Sequence, residues 1–232
     1  HLKLTNWHEL KFESKISPDM IDVEDSSLMV AINTDIMRMN RSIQFFKITV
    51  EESCPDGMDP MDLYQIDQIR RIERILYIFS KTKIELGYIQ GMNELAFVFY
   101  YVYHLTLSVF KSQMINVEAF VYQSLNSLFN YTDIDSLYLI SNDAKSLVKA
   151  LEPFSQIINE NLPELSHHFQ KLNIQPVLYS FQWFSIIFTQ KHEIPDVLPI
   201  WDSLLGHLDC FLEYEFYIGL AYLCVSNGKL LS

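Results

Sequence analysis

Glycine and proline are scarce in this chain, which has six glycines and eight prolines among 232 residues. Their combined share is about half of the roughly 12% that is usual in globular proteins. Since these residues form many tight turns, their scarcity favours long helices and disfavours a fold of many short strands. With 49% hydrophobic and 20% charged residues, the composition is that of a folded domain and excludes a disordered tail.

Positive charge is also in short supply. Lysines and arginines number 17 against 29 aspartates and glutamates, so the formal net charge is −12. A surface that binds nucleic acid needs clustered positive charge, so we expect no nucleic-acid partner. An anionic membrane surface is disfavoured for the same reason. All the arginines lie between Arg38 and Arg74, which confines any chemistry that needs a guanidinium to the first half of the chain.

Cysteines and the common catalytic motifs are rare or lacking. The cysteines are odd in number, widely spaced and never arranged as CxxC: Cys54, Cys210 and Cys224. This pattern predicts free thiols in a reducing compartment. The motifs GxxxxGKS/T, GxGxxG, HExxH and GxSxG do not occur. The sequence therefore gives no support to a nucleotide pocket of its own, to zinc-protease chemistry or to α/β-hydrolase chemistry.

A hydrophobic run long enough to cross a membrane is lacking too. The most apolar stretch, Leu95–Phe110, would be about 24 Å long as a helix. It is shorter than the roughly 30 Å hydrocarbon core of a bilayer, and it contains His104. We predict a buried core helix here and no membrane span.

Apolar residues recur at helical spacing along most of the chain and predict an all-α fold. Ser26 or Ser27 can cap a helix that runs to about Asn40, and Asp59-Pro60 is a favourable start for a helix that runs to about Lys83. Further helices are predicted at 92–110, 116–130, 141–160, 163–172, 176–190, 196–206 and 209–226. A soft boundary near residues 111–116 divides the chain into a lead-in (1–25), an N-terminal lobe (26–115) and a C-terminal lobe (116–232).

The first stretch that could carry chemistry is Ile32-Asn-Thr-Asp35-Ile-Met-Arg38. Asp35 and Arg38 lie three residues apart on one predicted helix, where opposite charges can pair. One interpretation is an ion pair on a solvated helix face, which stabilises little. The other is an arginine presented outward, with its side chain steered by the carboxylate one turn earlier.

The second stretch, Gly87-Tyr88-Ile-Gln90-Gly91, joins two predicted helices. Its glycines allow backbone angles that other residues resist. It is either an ordinary turn or a loop that projects Gln90 while Tyr88 packs down as an anchor.

The third stretch is a pair of apolar helices that carry Trp183-Phe184 and Trp201-Asp202. We expect Trp183, Phe184 and Trp201 in the core, because large aromatic side chains dominate core packing. For Arg70, Arg71 and Arg74 we expect a solvated face with intrahelical ion pairs; the alternative is a rim that meets acidic groups on a partner.

Together the three stretches resemble the TBC domain, the GTPase-activating domain for Rab-type small GTPases, whose motifs are IxxDxxR, YxQG and a tryptophan-rich helix pair with a WD dipeptide. The resemblance covers about residues 26–225 and implies a two-lobed, multi-helix all-α domain. Two positions depart from the pattern: Met39, where the family usually has threonine, and Gln182, where it usually has arginine. The resemblance also implies further helices beyond Ser232, so we expect the C-terminal lobe to be incomplete.

The resemblance implies that the domain is a GTPase activator without a reaction of its own. By position, Arg38 would be the arginine finger and Gln90 the glutamine finger, with four residues in support: Ile32, Asp35, Tyr88 and Gly91. Arg41 is a rival for the finger, but aligning the motif on it would put Arg38 where the aspartate belongs. The alternatives are a catalytically silent Rab-binding module and a helical scaffold.

The same resemblance implies the partners and the location. The partner would be a Rab-type small GTPase in its GTP form. The domain would need no cofactor, because Mg²⁺ and GTP belong to the partner. It would be cytoplasmic, with a role in vesicle trafficking, and would reach endomembranes through the GTPase.

Overall fold

All regular secondary structure in the described part of the chain is helical. The computed structural model describes residues 23–38, 60–109, 115–141 and 143–231. These residues form eleven α-helices and two short 3₁₀ helices, and no strand occurs among them. The prediction of an all-α fold is confirmed. The predicted lead-in up to residue 22 and the predicted boundary at 111–114 lie outside the described residues.

The chain divides into two compact units, His1–Gln123 and Ser124–Ser232. The predicted lobes, 26–115 and 116–232, stay predictions. The described helices of the first unit are α1 (Val23–Arg38), α2 (Pro60–Thr82) and α3 (Met92–Val109); α4 (Ile115–Tyr131) begins in this unit. Helices α1, α2 and α3 all pack against one another.

Helix α1 packs through a narrow apolar stripe. Ile32 and Ile36, one turn apart, are both buried. The helix begins at Val23, three residues before the first predicted cap.

Helices α2 and α3 supply the centre of the first unit. Helix α2 begins at Pro60 as predicted, where the missing N–H costs nothing. The first half of α3 is buried almost all round, from Met92 to Val98 and again at Tyr100. This confirms the predicted core helix for its first half; in the second half Val102 and Leu105 are exposed. Among the helices of the described ranges, none has both the length and the apolarity needed to cross a bilayer.

The second unit contains seven further α-helices: α5 (Ile134–Leu139), α6 (Ala144–Ala150), α7 (Glu152–Asn161), α8 (Pro163–Lys171), α9 (Val177–Ser185), α10 (Ile194–Leu205) and α11 (Phe211–Leu230). The 3₁₀ helices are Thr189–Lys191 and Leu208–Cys210. Phe184 and Trp201 are buried as predicted. Trp183 was predicted in the core, but this side chain is only partly buried and packs against the outside of the core.

Two predicted helices are interrupted in the structure. The predicted helix 141–160 breaks at Leu151, because Pro153 has no N–H to donate to the carbonyl of Lys149. The predicted helix 176–190 ends at Ser185, since Ile187 and Phe188 adopt left-handed backbone angles, with φ of 50° and 57°. Burial of the Phe188 side chain offsets the strain of this conformation.

Glu215 is a buried carboxyl group in α11, and neither of its oxygens has a hydrogen-bond partner in the described structure. Burial, and secondarily the carboxylate of Asp133, raises the pKa of Glu215 well above its usual value of 4.5. The folded chain therefore keeps this proton at a pH where the unfolded chain has released it. It follows that this residue destabilises the fold increasingly as the pH rises above about 4.5.

We predict that Glu215→Met raises the free energy of unfolding by about 1–3 kcal/mol at pH 7, because it removes a buried polar group without creating a cavity. The gain in the free energy of unfolding should be smaller at pH 4.5 than at pH 7. At the lower pH, Glu215 is partly protonated in the unfolded wild-type chain too, so the folded and unfolded states differ less in bound protons. Denaturant unfolding at both pH values measures this, with Glu213→Met, at an exposed position of the same helix, as the control. An equal gain at the two pH values contradicts the assignment.

Candidate functional site

A buried carboxylate at the end of α1 joins three segments of the first unit. Asp35 is 7% exposed. Its Oδ2 accepts a hydrogen bond of 2.9 Å from the hydroxyl of Tyr88, in the loop between α2 and α3. Its backbone carbonyl accepts a bond of 3.3 Å from the side-chain amide of Asn93, in the first turn of α3. We call Asp35, Arg38, Tyr88 and Asn93 the Asp35 cluster.

Arg38 is the last residue of α1 and the exposed member of the Asp35 cluster. Its Nη1 lies 3.6 Å from Oδ1 of Asp35, and its side chain is 66% exposed. The two residues are three apart on one helix, as the sequence indicates. Because Tyr88 holds the other oxygen of the carboxylate, the guanidinium is steered from a fixed point while most of it faces solvent. The interpretation of Asp35 and Arg38 as an ion pair on a solvated helix face is therefore wrong, because Asp35 is buried.

The loop between α2 and α3 depends on its two glycines. Gly87 has φ of 64° and Gly91 has φ of 101°, in the region where a side chain is strained. Gly87 donates its N–H to the carbonyl of Lys83, which closes the end of α2. Between the glycines, Tyr88 is half-buried and Gln90 is exposed. This matches the predicted loop that projects Gln90 and anchors Tyr88.

Gln90 is tied to the end of α1 through its neighbours. Tyr88, two residues earlier, and Asn93, three residues later, both bond to Asp35. The side-chain amide of Gln90 makes no hydrogen bond to any residue that the structure describes. The backbone that presents Gln90 and the helix end that presents Arg38 are thus attached to one residue. Ile32, three residues before Asp35, is fully buried beneath this point of the helix.

A further hydrogen bond joins α1 to α2 through Asn33 and Glu73. The side-chain amide of Asn33 donates a 2.9 Å bond to Oε1 of Glu73. Nη1 of Arg70 donates a 2.7 Å bond to Oε2 of the same carboxylate, which confirms an intrahelical pair for Arg70. This link was not predicted from the sequence. Its signal was a glutamate on the buried face of α2, where a charge needs partners.

The prediction of a solvated face is wrong for Arg71 and Arg74. Both pair with Glu118 of α4: Arg71 at 3.1 Å, and Arg74 through two bonds of 2.7 and 3.0 Å. Glu118 is 4% exposed. The two guanidiniums therefore compensate a buried charge between two helices of the same unit, which disfavours the alternative of a rim for a partner's acidic groups.

The chemistry that Arg38 and Gln90 offer is hydrogen bonding from two exposed side chains, one charged and one neutral. An exposed guanidinium presents forked donors to phosphate oxygens, and an exposed amide can both donate and accept. Across the described ranges, no three His, Cys, Asp or Glu side chains lie together as a metal site would require. Two residues named from the sequence lie outside the described residues: Met39, which departs from the family pattern, and Arg41, the rival candidate for the arginine finger.

Comparison with known proteins gives consistent matches along most of the chain. The chain is 28% identical over 181 residues to a TBC domain-containing protein of Schizosaccharomyces pombe, covering 78% of this chain and 28% of that protein. It is 27% identical over 166 residues to human TBC1 domain family member 13, covering 69% of this chain and 39% of that protein. The chain thus spans well under half the length of these relatives.

A solved structure shows the same fold. The chain matches the crystal structure of the Ypt/Rab-GAP domain of Gyp1p with a TM-score of 0.61 and 16% sequence identity, covering 87% of this chain and 70% of that one. The model of the Rab-GTPase-TBC domain family matches residues 35–231, a range that begins at Asp35 and includes Arg38 and Gln90. The chain belongs to the Rab-GTPase-TBC domain family.

Proposed function

We propose that this domain is a GTPase activator for a Rab-type small GTPase in its GTP form. Arg38 is the arginine finger and Gln90 the glutamine finger of this proposal. The observation that carries it is that Arg38 pairs with the buried Asp35, while Tyr88 and Asn93, on either side of Gln90, hydrogen-bond to the same residue. A protein that only bound a GTPase would need neither side chain in this arrangement.

Arg38 would act on the transferring phosphoryl group. In GTP hydrolysis, negative charge spreads over the γ-phosphoryl oxygens in the transition state. A guanidinium is always protonated, and its planar fork matches phosphate oxygens. An arginine supplied in trans accelerates such reactions by about 10³–10⁵. The carboxylate of Asp35 would limit the directions that the Arg38 side chain samples, which lowers the entropy lost on docking.

Gln90 would orient the attacking water. A glutamine amide can donate to one partner and accept from another, which is what aligning a water with the γ-phosphate requires. Gly87 and Gly91 adopt positive φ without strain, so the chain can turn on both sides of Gln90 and present it to solvent. Tyr88 and Gly91 support this loop, and Ile32 supports the helix that carries Arg38.

The nucleotide chemistry would belong to the partner. GTP and Mg²⁺ are bound by the GTPase, so the domain would contribute side chains and no cofactor. Its proposed place is the cytoplasm, where it reaches endomembranes and acts in vesicle trafficking through the GTPase that it recognises.

Single-turnover GTP hydrolysis across a panel of Rab-type GTPases, with and without the domain, tests the proposal. We expect acceleration of at least one GTPase by about 10³–10⁵ at saturating domain. Binding of a GTPase without acceleration would replace the proposal with a silent Rab-binding module. Neither binding nor acceleration across the panel would leave a helical scaffold.

A further inference from the structure

Helix α1 is held by directional hydrogen bonds on both sides of its apolar stripe. At 100° per residue, Ile32 and Ile36 lie 40° apart and mark the buried stripe. Asn33 lies on one flank of this stripe, and Asp35 on the opposite flank. Arg38 lies on the Asp35 side, about 60° further from the stripe. The two flanks bond to different elements: Asn33 to α2, and Asp35 to Tyr88 and Asn93.

The apolar stripe cannot by itself set the rotation of α1. Burial of Ile32 and Ile36 is non-directional, so a small rotation about the helix axis changes the buried area little. The same rotation swings Arg38, whose long side chain amplifies the movement at the guanidinium. A hydrogen bond on each flank opposes rotation in both directions, because turning away from one partner stretches that bond.

Glu73 is suited to be the fixed point on the α2 side. It is 2% exposed, so its carboxylate is costly to leave without partners. The bond from Arg70 occupies one oxygen and directs the other toward Asn33. The link is thus a charge-assisted bond from α1 to a carboxylate that is already oriented within α2.

We propose that Asn33 and Glu73 are positioning residues that fix the rotation of α1 and thereby the direction in which Arg38 leaves the helix. The inference rests on the proposed function, since its consequence is measured in the stimulated rate. Neither side chain touches the reacting groups; both act through Arg38.

Reversal of the hydrogen bond tests the proposal. Asn33→Asp removes the donor and puts a second carboxylate beside Glu73, so the hydrogen bond is lost and the repulsion turns this flank of α1 away from α2. Adding Glu73→Gln restores the bond in the opposite sense, because the new amide at position 73 donates to the new carboxylate at position 33. Val30→Asp, at an exposed position of α1, adds the same charge and is the matched control.

The readout is the maximal stimulated rate of GTP hydrolysis, separated from the half-saturating concentration of domain. We expect Asn33→Asp to lower the maximal rate about tenfold or more, with the half-saturating concentration changed less than about threefold. The double variant and Val30→Asp should stay within about threefold of the wild type in both quantities. Thermal unfolding of each variant verifies that it is folded. If Asn33→Asp does not fold, Asn33→Ala replaces it, with a smaller loss expected in the same direction.

The outcomes separate this inference from the proposed function. If the wild type accelerates no GTPase, both fall. If the wild type accelerates a GTPase and folded Asn33→Asp keeps the full maximal rate, the positioning role alone is overturned. It is also overturned if the folded double variant fails to recover, or if Val30→Asp lowers the maximal rate as much as Asn33→Asp does.

Discussion

Arg38→Ala is expected to lower the stimulated rate of GTP hydrolysis by about 10²–10⁴. The substitution removes the cation that would stabilise charge on the transferring phosphoryl group, while Gln90 would still position the water. Arg38 is 66% exposed and its ion pair contributes little to stability, so the variant should fold normally. Gln90→Ala should lower the rate by less if a glutamine of the GTPase itself takes over the orientation of the attacking water.

Affinity separates a catalytic role for Arg38 from a binding role. An interaction made mainly in the transition state lowers the rate much more than it lowers affinity for the ground-state GTP complex. Titration of the GTP-bound partner should therefore show a much smaller change than single-turnover hydrolysis. Lys81→Ala, at the exposed end of α2, removes the same charge elsewhere and should leave the rate unchanged. Undiminished hydrolysis by Arg38→Ala with every GTPase that binds would favour the silent binding module.

Trp201→Ala is expected to cost about 3–5 kcal/mol of the free energy of unfolding. Trp201 is 2% exposed, and its indole N–H donates a 3.1 Å bond to the carbonyl of Ile187. Ile187 lies in the left-handed turn after α9, so truncation removes both core volume and a partner of a strained segment. Denaturant unfolding measures the loss.

Two further variants identify the source of this loss in the free energy of unfolding. Trp201→Phe keeps an aromatic ring but not the N–H, so its free energy of unfolding should lie between that of Trp201→Ala and that of the wild type. Leu178→Ala, at a position of α9 that is 73% exposed, should change the free energy of unfolding by less than about 0.5 kcal/mol. A loss of similar size for Leu178→Ala and Trp201→Ala would contradict the buried assignment.

The elements that the sequence predicted well are those set by interactions within a few residues. The helical period of α2 is carried by residues such as Ile72, Leu76 and Phe79, and each of these is buried. The loop after α2 could be placed because Gly87 and Gly91 have the conformational freedom that it requires. The i, i+3 spacing of Asp35 and Arg38 was visible for the same reason, since one helix contains both.

Helix ends were harder to predict where packing decided them. The period of the apolar residues continues through 176–190, yet α9 ends at Ser185. Burial of Phe188 against the core favours a left-handed turn that local preference opposes. A pattern of apolar residues records that such side chains are buried, and not which backbone path buries them best.

The helical character of the chain, the position of its principal loop and the candidate side chains could be predicted, because they follow from local spacing and backbone freedom. The partners of the buried charges could not be predicted in this way. Asp35 bonds to Tyr88, 53 residues further on, and Asn33 bonds to Glu73, 40 residues away. Such partners depend on which helix faces pack together, and a buried carboxylate is stable only where that packing supplies donors.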